Sequence, residues 1–207
     1  MTQARQTVGQ SPYRAFITRE PFLFYEMRTT ARLLAEGMTG DEAIERITRE
    51  NLFQYPTERS LRGMARACVR RLRTLDSAAL VEAIVCQPQD VARQVCLYAM
   101  MREHRLVLDF MCGVIGEKYR QRDLTYSRVD LNVFFLRLQE QDDAVASWSD
   151  TTVTKLKQIL TRILVENEYL RSPRADHLQP VLLSAVLERG MRQNGDEALF
   201  PAFDYFA

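Results

Sequence analysis

Apolar positions recur along most of this chain at spacings of three and four residues, the repeat of a helix face, and no run alternates with the period of a strand. The pattern is sharpest from Thr57 to Leu75. There Leu61, Met64, Ala65, Cys68, Val69, Leu72 and Leu75 fill one arc of a helix, and Arg59, Arg62, Arg66, Arg70 and Arg73 gather on the other side. Between Arg59 and Arg73 the sequence holds no carboxylate. Like charges three and four residues apart repel, so a helix that keeps such a row is expected to meet something negative. Phosphate suits a row of planar, permanently charged forks.

The elements around it follow from the same periodicity and from capping residues. A first helix is predicted from Glu20 to Glu36, with Pro21 in its first turn, Gly37 as its C-terminal cap and Leu23, Met27, Ala31 and Leu34 inward. Thr39 and Glu42 form a capping box for a short helix through Asn51 with Ala43, Ile44 and Ile47 buried; Pro56 stops the chain and Thr57 caps the arginine helix. A short helix, a turn and a longer basic helix are the parts of a helix-turn-helix, and any helical hairpin shares that outline.

Downstream, Asp76 or Ser77 opens a helix that ends before Pro88, and Asp90 caps another that runs to about Glu103. Arg105 to Gln121 is apolar nearly all round and is expected to be the central buried helix; its GVIG imitates the clamp loop of a KH domain without the strands such a domain needs. Ser127 and Asp130 open a helix with Leu131, Phe134, Phe135 and Leu138 inward, and an acidic bend leads to Ser149 or Asp150, either of which can cap Thr151 to Glu166. That last helix buries Val153, Leu156, Leu160, Ile163 and Leu164 and turns Thr151, Lys155, Gln158 and Arg162 outward, with Lys157 beside them. NEYLRSPRADHL reads as a tight turn or small wing, Pro180 to Gln193 as a final helix, and the aromatic tail ALFPAFDYFA, costly to expose, as a segment that docks on the domain or else marks a partner site, with docking the expectation. Residues 1–12 are polar and expected to be loose, leaving 13–207 as a single compact helical domain.

Composition narrows the function. The 207 residues carry 28 Lys+Arg against 27 Asp+Glu, a net charge of +1, so nucleic-acid affinity has to come from local patches and not from a basic protein overall. Only Lys118, Lys155 and Lys157 are lysines, so a preference for writing surface cations as Arg explains the arginines but not the missing acids. On residues alone, a nucleic-acid face, a solvated face and a grip on an acidic protein all stay open. Cys68, Cys86, Cys96 and Cys112 lack paired spacing and read as small core residues of a reducing cytoplasm. The two histidines, His104 and His177, show no metal-ligand spacing, and there is no P-loop, GxGxxG or GxSxG. No metal, no cofactor and no catalytic residue is expected, and the apolar stretch Leu106 to Gly116 is too short to span a membrane.

The order EAIERITRENLFQYPTERSLRGMARACVRRLRTL, FMCGVIGEKY and VASWSDTTVTKLKQILTRILVENEYL resembles the BrxA family of BREX phage-exclusion systems, from about Tyr13 to Leu187. The most specific pieces are Asn51 with the Arg70 to Leu75 block, and Trp148, Ser149, Thr152, Lys155 and Leu156. The resemblance implies a cytoplasmic, all-α, compact multi-helix globule similar to the antitermination factor NusB. It also implies two helix-turn-helix-like units, at about 39–75 and 131–166, that bind double-stranded DNA. The implied partners are the methyltransferase, phosphatase-like and ATPase components of the system, with the chain itself a monomer and not an enzyme. The expected DNA-binding residues are Arg59, Arg62, Arg66, Arg70 and Arg73 in the first unit and Thr151, Lys155, Lys157, Gln158 and Arg162 in the second. An adaptor that meets an acidic surface of another BREX protein, and a NusB-like RNA binder, are the competing expectations.

Overall fold

A computed structural model describes residues 11–206, and among them every regular element is helical. The expectation of a loose N-terminus falls mostly on residues 1–10, which lie outside the described residues. The elements are α1 (Phe24–Ala35), α2 (Gly40–Glu50), α3 (Glu58–Thr74), α4 (Ala78–Cys86) and α5 (Gln89–Glu103). They continue with α6 (Arg105–Phe110), a π-helical segment (Met111–Gly116), α7 (Glu117–Gln121), α8 (Arg128–Gln141), α9 (Asp143–Ala146), α10 (Asp150–Glu166) and α11 (Ala185–Gln193). Short 3-10 turns stand at Phe16–Thr18 and Glu197–Phe203.

The caps set most of the boundaries. Both predicted capping boxes form: Thr39 accepts from the Glu42 amide while the Glu42 carboxylate accepts from the Thr39 amide at 2.7 Å, and Ser127 and Asp130 repeat the exchange. Thr57, Ser77, Ser149 and Ser184 each accept a first-turn amide bond. The cap expected at Asp90 is corrected: α5 begins behind Pro88, whose fixed φ suits a helix start, and no side chain caps it. The first helix begins at Phe24 and not at Glu20: residues 20–22 form no helix, and Leu23 enters α1 from the left-handed region at φ 59. The last helix begins at Ala185 and not at Pro180, since the Gln94 amide clamps the extended chain, donating to Leu182 O and accepting from Ser184 N.

Helix α1 packs on α4, α3, α2 and α5, and α4 and α5 pack on each other and on α11. The central segment, predicted as one helix, is helical throughout but switches to π at Met111–Gly116, so GVIG is neither a loop nor a clamp. The extra residue in its turn presents Gly116 to the C-terminal tail, where an added Cβ would lie 3.0 Å from Pro201. The tail does dock: Phe200, Ala202 and Phe203 are buried and Tyr169 donates to Ala202 O at 2.9 Å. On the other side of this central segment Phe110 meets Phe134 edge to face at 5.5 Å, which holds α8 on the core. A satellite cluster of Leu33, Ala43, Ile47, Leu61 and Ala65 joins α1, α2 and α3. The NEYLRSPRADHL segment returns as a turn whose His177 makes one isolated antiparallel bridge to Thr125.

Candidate nucleic-acid interface

Helix α3 turns its apolar arc inward as its sequence demands, with Leu61, Ala65, Cys68, Val69, Leu72 and Leu75 buried. Arg59, Arg62, Arg66, Arg70 and Arg73 are all exposed on the outer side. Their partners divide them. Arg59, Arg66 and Arg73 take part in no ion pair among the described residues, while Arg62 reaches back to Glu58 at 3.4 Å, an exposed pair that adds little. Arg73 lies across the first turn of α2, its Nη2 2.8 Å from where a Cβ on Gly40 would stand.

Arg70 departs from the expectation of an unpaired row. The fold brings in carboxylates from outside the helix: Arg70 Nη2 donates to Glu20 at 2.6 Å and Nε donates to Glu103 at 2.9 Å. Burial opposes its charge, but the bonds to Glu103 and Glu20 outweigh that and raise its pKa. Arg70 therefore anchors α3 to the chain before α1 and to the end of α5, and its outward reach is limited.

Behind it stands Arg71, which the sequence reading did not single out and which is fully buried. Its guanidinium donates to Pro21 O at 2.6 Å, Phe22 O at 3.2 Å, Glu20 O at 2.5 Å and the Glu103 carboxylate at 3.1 Å. Three successive carbonyls converge on one fork, the geometry for which guanidinium is built. The signal was available: on the helical wheel Arg71 falls inside the apolar arc, beside Met64, and a cation there must find buried acceptors.

Glu20, Glu103 and His104 place one ligand atom each within 4.8 Å of one another, which is the spacing of a cation site. The cation role is already filled by Arg70 and Arg71, and His104 Nε2 lies 3.1 Å from the same Glu103 carboxylate. Burial alone would push the Glu103 carboxyl up, but His104, Arg71 and Arg70 hold it down at about 2.

In the second unit, α10 exposes Thr151, Lys155, Gln158 and Arg162 along one face. Arg162 pairs with Glu166 at 2.7 Å and stays exposed. Lys157 sits apart from that face, half-buried, donating to Asn132 Oδ1 of α8 at 2.8 Å and lying over the Phe135 ring at 5.5 Å. Its work is to hold α10 against α8. The remaining lysine, Lys118, bridges Asp123 and Asp130 and so ties the end of α7 to the capping box of α8. Residues 51–57 separate α2 from α3, as Pro56 and the Thr57 cap predict, whereas the acidic bend expected between α8 and α10 contains the short helix α9.

The geometry defines an all-helical protein that presents two basic helix faces, one on α3 and one on α10, and no helix among the described residues is long and apolar enough to cross a membrane. The BrxA family model matches residues 11–195, nearly the whole of the described structure, so the chain belongs to the BrxA family of the BREX phage-defence system. A BREX protein BrxA from Bacillus cereus (strain H3081.97) is 33% identical over 190 residues, covering 91% of this chain and 94% of that one. A BREX protein BrxA from Escherichia coli O9:H4 (strain HS) is 28% identical over 174 residues, covering 82% of this chain and 81% of its own. Among solved structures, an uncharacterized protein from Magnetospirillum magneticum superposes with a TM-score of 0.79 at 25% identity, over 93% of this chain and 98% of that one.

Proposed function

We propose that this chain is a non-catalytic, double-stranded DNA-binding component of its BREX system, and that α3 provides the primary contact. The observation that carries the reading is the exposure of Arg59, Arg62, Arg66 and Arg73 on one helix face with which no carboxylate among the described residues pairs, apart from the loose Glu58 pair. Arg59 and Arg62, in the first turns, are placed to approach a groove, and Arg66 and Arg73 to hold phosphates. Arg70 contributes mainly by keeping α3 in place. On α10, Lys155 and Gln158, with Thr151 and Arg162 beside them, form the corresponding second face.

The test is a titration of a fluorescent duplex at two salt concentrations, with wild type beside a variant carrying Arg59→Glu, Arg62→Glu and Arg66→Glu. Arg70 is left intact so that the fold is not the quantity measured. The wild type is expected to bind in a salt-sensitive way, and each lost phosphate contact to flatten the log–log salt slope by about 0.9. Equal binding by the variant, with helicity unchanged, would remove α3 from the interface. Tighter binding to structured RNA than to the duplex in competition would replace DNA with RNA as the ligand.

A further inference from the structure

Seven large apolar side chains stand well exposed among the described residues, and three of them, Val129, Val133 and Leu136, lie on one face of α8 at 62%, 38% and 58% exposure. The others, Phe16, Tyr25, Leu182 and Phe206, are scattered singly, as apolar residues on a protein surface commonly are. The spacing of four and three residues makes a continuous ridge along the outer side of α8, opposite the buried Leu131, Phe134, Phe135 and Leu138. A phosphate backbone gains nothing from such a ridge, so the DNA reading leaves it unexplained.

We infer that the outer face of α8 is a docking surface for an amphipathic, acidic helix of another protein. An i, i+4, i+7 apolar stripe is the pattern by which one helix receives another. The rim selects the charge of the guest. Arg128 and Arg137 are exposed on this helix and take part in no ion pair among the described residues; Lys157 of α10 closes one edge through Asn132; of the acids, Glu140 lies along the stripe, and Asp130, on the Arg137 flank, is taken up by Lys118 and by the Ser127 cap. A second copy of this chain would bring the same cations against them. An apolar stripe flanked by Asp and Glu satisfies the ridge and the rim together. The surface does not depend on DNA binding, because none of its residues belongs to the α3 or α10 basic faces.

A photocrosslinking amino acid placed at Val133 of the full chain, co-expressed with the other proteins of its BREX system, tests this directly. The expected result is a crosslink to one of those proteins, mapped by mass spectrometry to a helical segment with Asp or Glu beside an apolar stripe. Leu136→Arg is expected to weaken that complex about tenfold or more, as loss of a central apolar anchor does. Arg128→Glu with Arg137→Glu is expected to weaken it in a manner that high salt erases. All these positions are exposed, so thermal melting and far-UV circular dichroism serve to show that the variants are folded. A crosslink to a second copy of this chain, to nucleic acid, or to a segment without acidic residues would overturn the inference. So would an unaltered complex in Leu136→Arg, or the absence of any crosslink with all BREX proteins present.

Discussion

Replacing Arg71 with methionine removes the one side chain that satisfies the carbonyls of Glu20, Pro21 and Phe22 and leaves the Glu103 oxygen that it paired with to His104. A buried acceptor left without a donor costs about 1–3 kcal/mol, and breaking one side of a buried ion pair about 3–5 kcal/mol. Leu23 in the left-handed region adds a conformational cost that the anchored carbonyls now offset. The expectation is that Arg71→Met lowers stability by at least about 3 kcal/mol in urea unfolding. Arg71→Lys recovers only part of the loss, because one ammonium cannot reach four acceptors in a plane. Glu103 supplies a pH dependence. Its carboxyl is held at about 2 against an ordinary 4.5, so its contribution is fully present above 4.5 and is lost as pH falls from there through about 2. Urea midpoints measured across that window are expected to fall more steeply for the wild type than for Glu103→Gln. Both residues were hard to see in the sequence for the same reason. Arg71 looked like one more member of an arginine row, and its acceptors come from residues some 50 positions upstream and 30 downstream, a separation that periodicity does not encode.

At the level of elements, local chemistry was legible and long-range chemistry was not. Thr39 with Glu42 and Ser127 with Asp130 announce their helices because a capping box is complete within four residues. The start of α1 was misplaced because residues 20–22 take their conformation from Arg71 on α3, and the π turn at Met111–Gly116 was invisible because its stabilising neighbour is the docked tail. The outer ridge of α8 is legible on the helical wheel, where Val129, Val133 and Leu136 share one face opposite Leu131, Phe134, Phe135 and Leu138. Among these elements the α2–α3 pair holds the candidate interface, and Gly40 sets how closely the two helices meet. A Cβ there would stand 2.7 Å from Val69 Cγ1 and 2.8 Å from Arg73 Nη2. Arg73 can swing away, whereas Val69 is branched at Cβ and packed, so α2 has to shift. Gly40→Ala is expected to cost about 1–3 kcal/mol by overpacking, even though alanine favours a helix. If thermal melting shows Gly40→Ala to be as stable as the wild type or more so, then the close contact does not constrain the pair.

Across the whole molecule, the stretch from Tyr13 to Phe22 links the two basic faces. Tyr13 donates to Asp109 at 2.7 Å, the turn at Phe16–Thr18 packs on α10, Glu20 receives Arg70, and the carbonyls of residues 20–22 receive Arg71. Helices α3 and α10 are thus held by one anchored segment and not by a flexible linker. On the DNA-binding reading, two faces fixed to the same support engage one duplex together, and their contacts add in the salt dependence. Lys155→Gln is then expected to flatten the log–log salt slope by about 0.9, Arg66→Gln by the same amount, and the double variant by about 1.8. Arg162→Gln is expected to change it less, because Glu166 already holds that guanidinium. Affinities measured over a range of salt on a duplex long enough to reach both helices provide the slopes. A slope that responds to Arg66 and ignores Lys155 would confine the duplex to α3 and release α10 for another partner. A slope that responds to each singly but to the pair no more than to one would mean that the two faces bind separate duplexes, because only contacts made in a single complex release their counterions together.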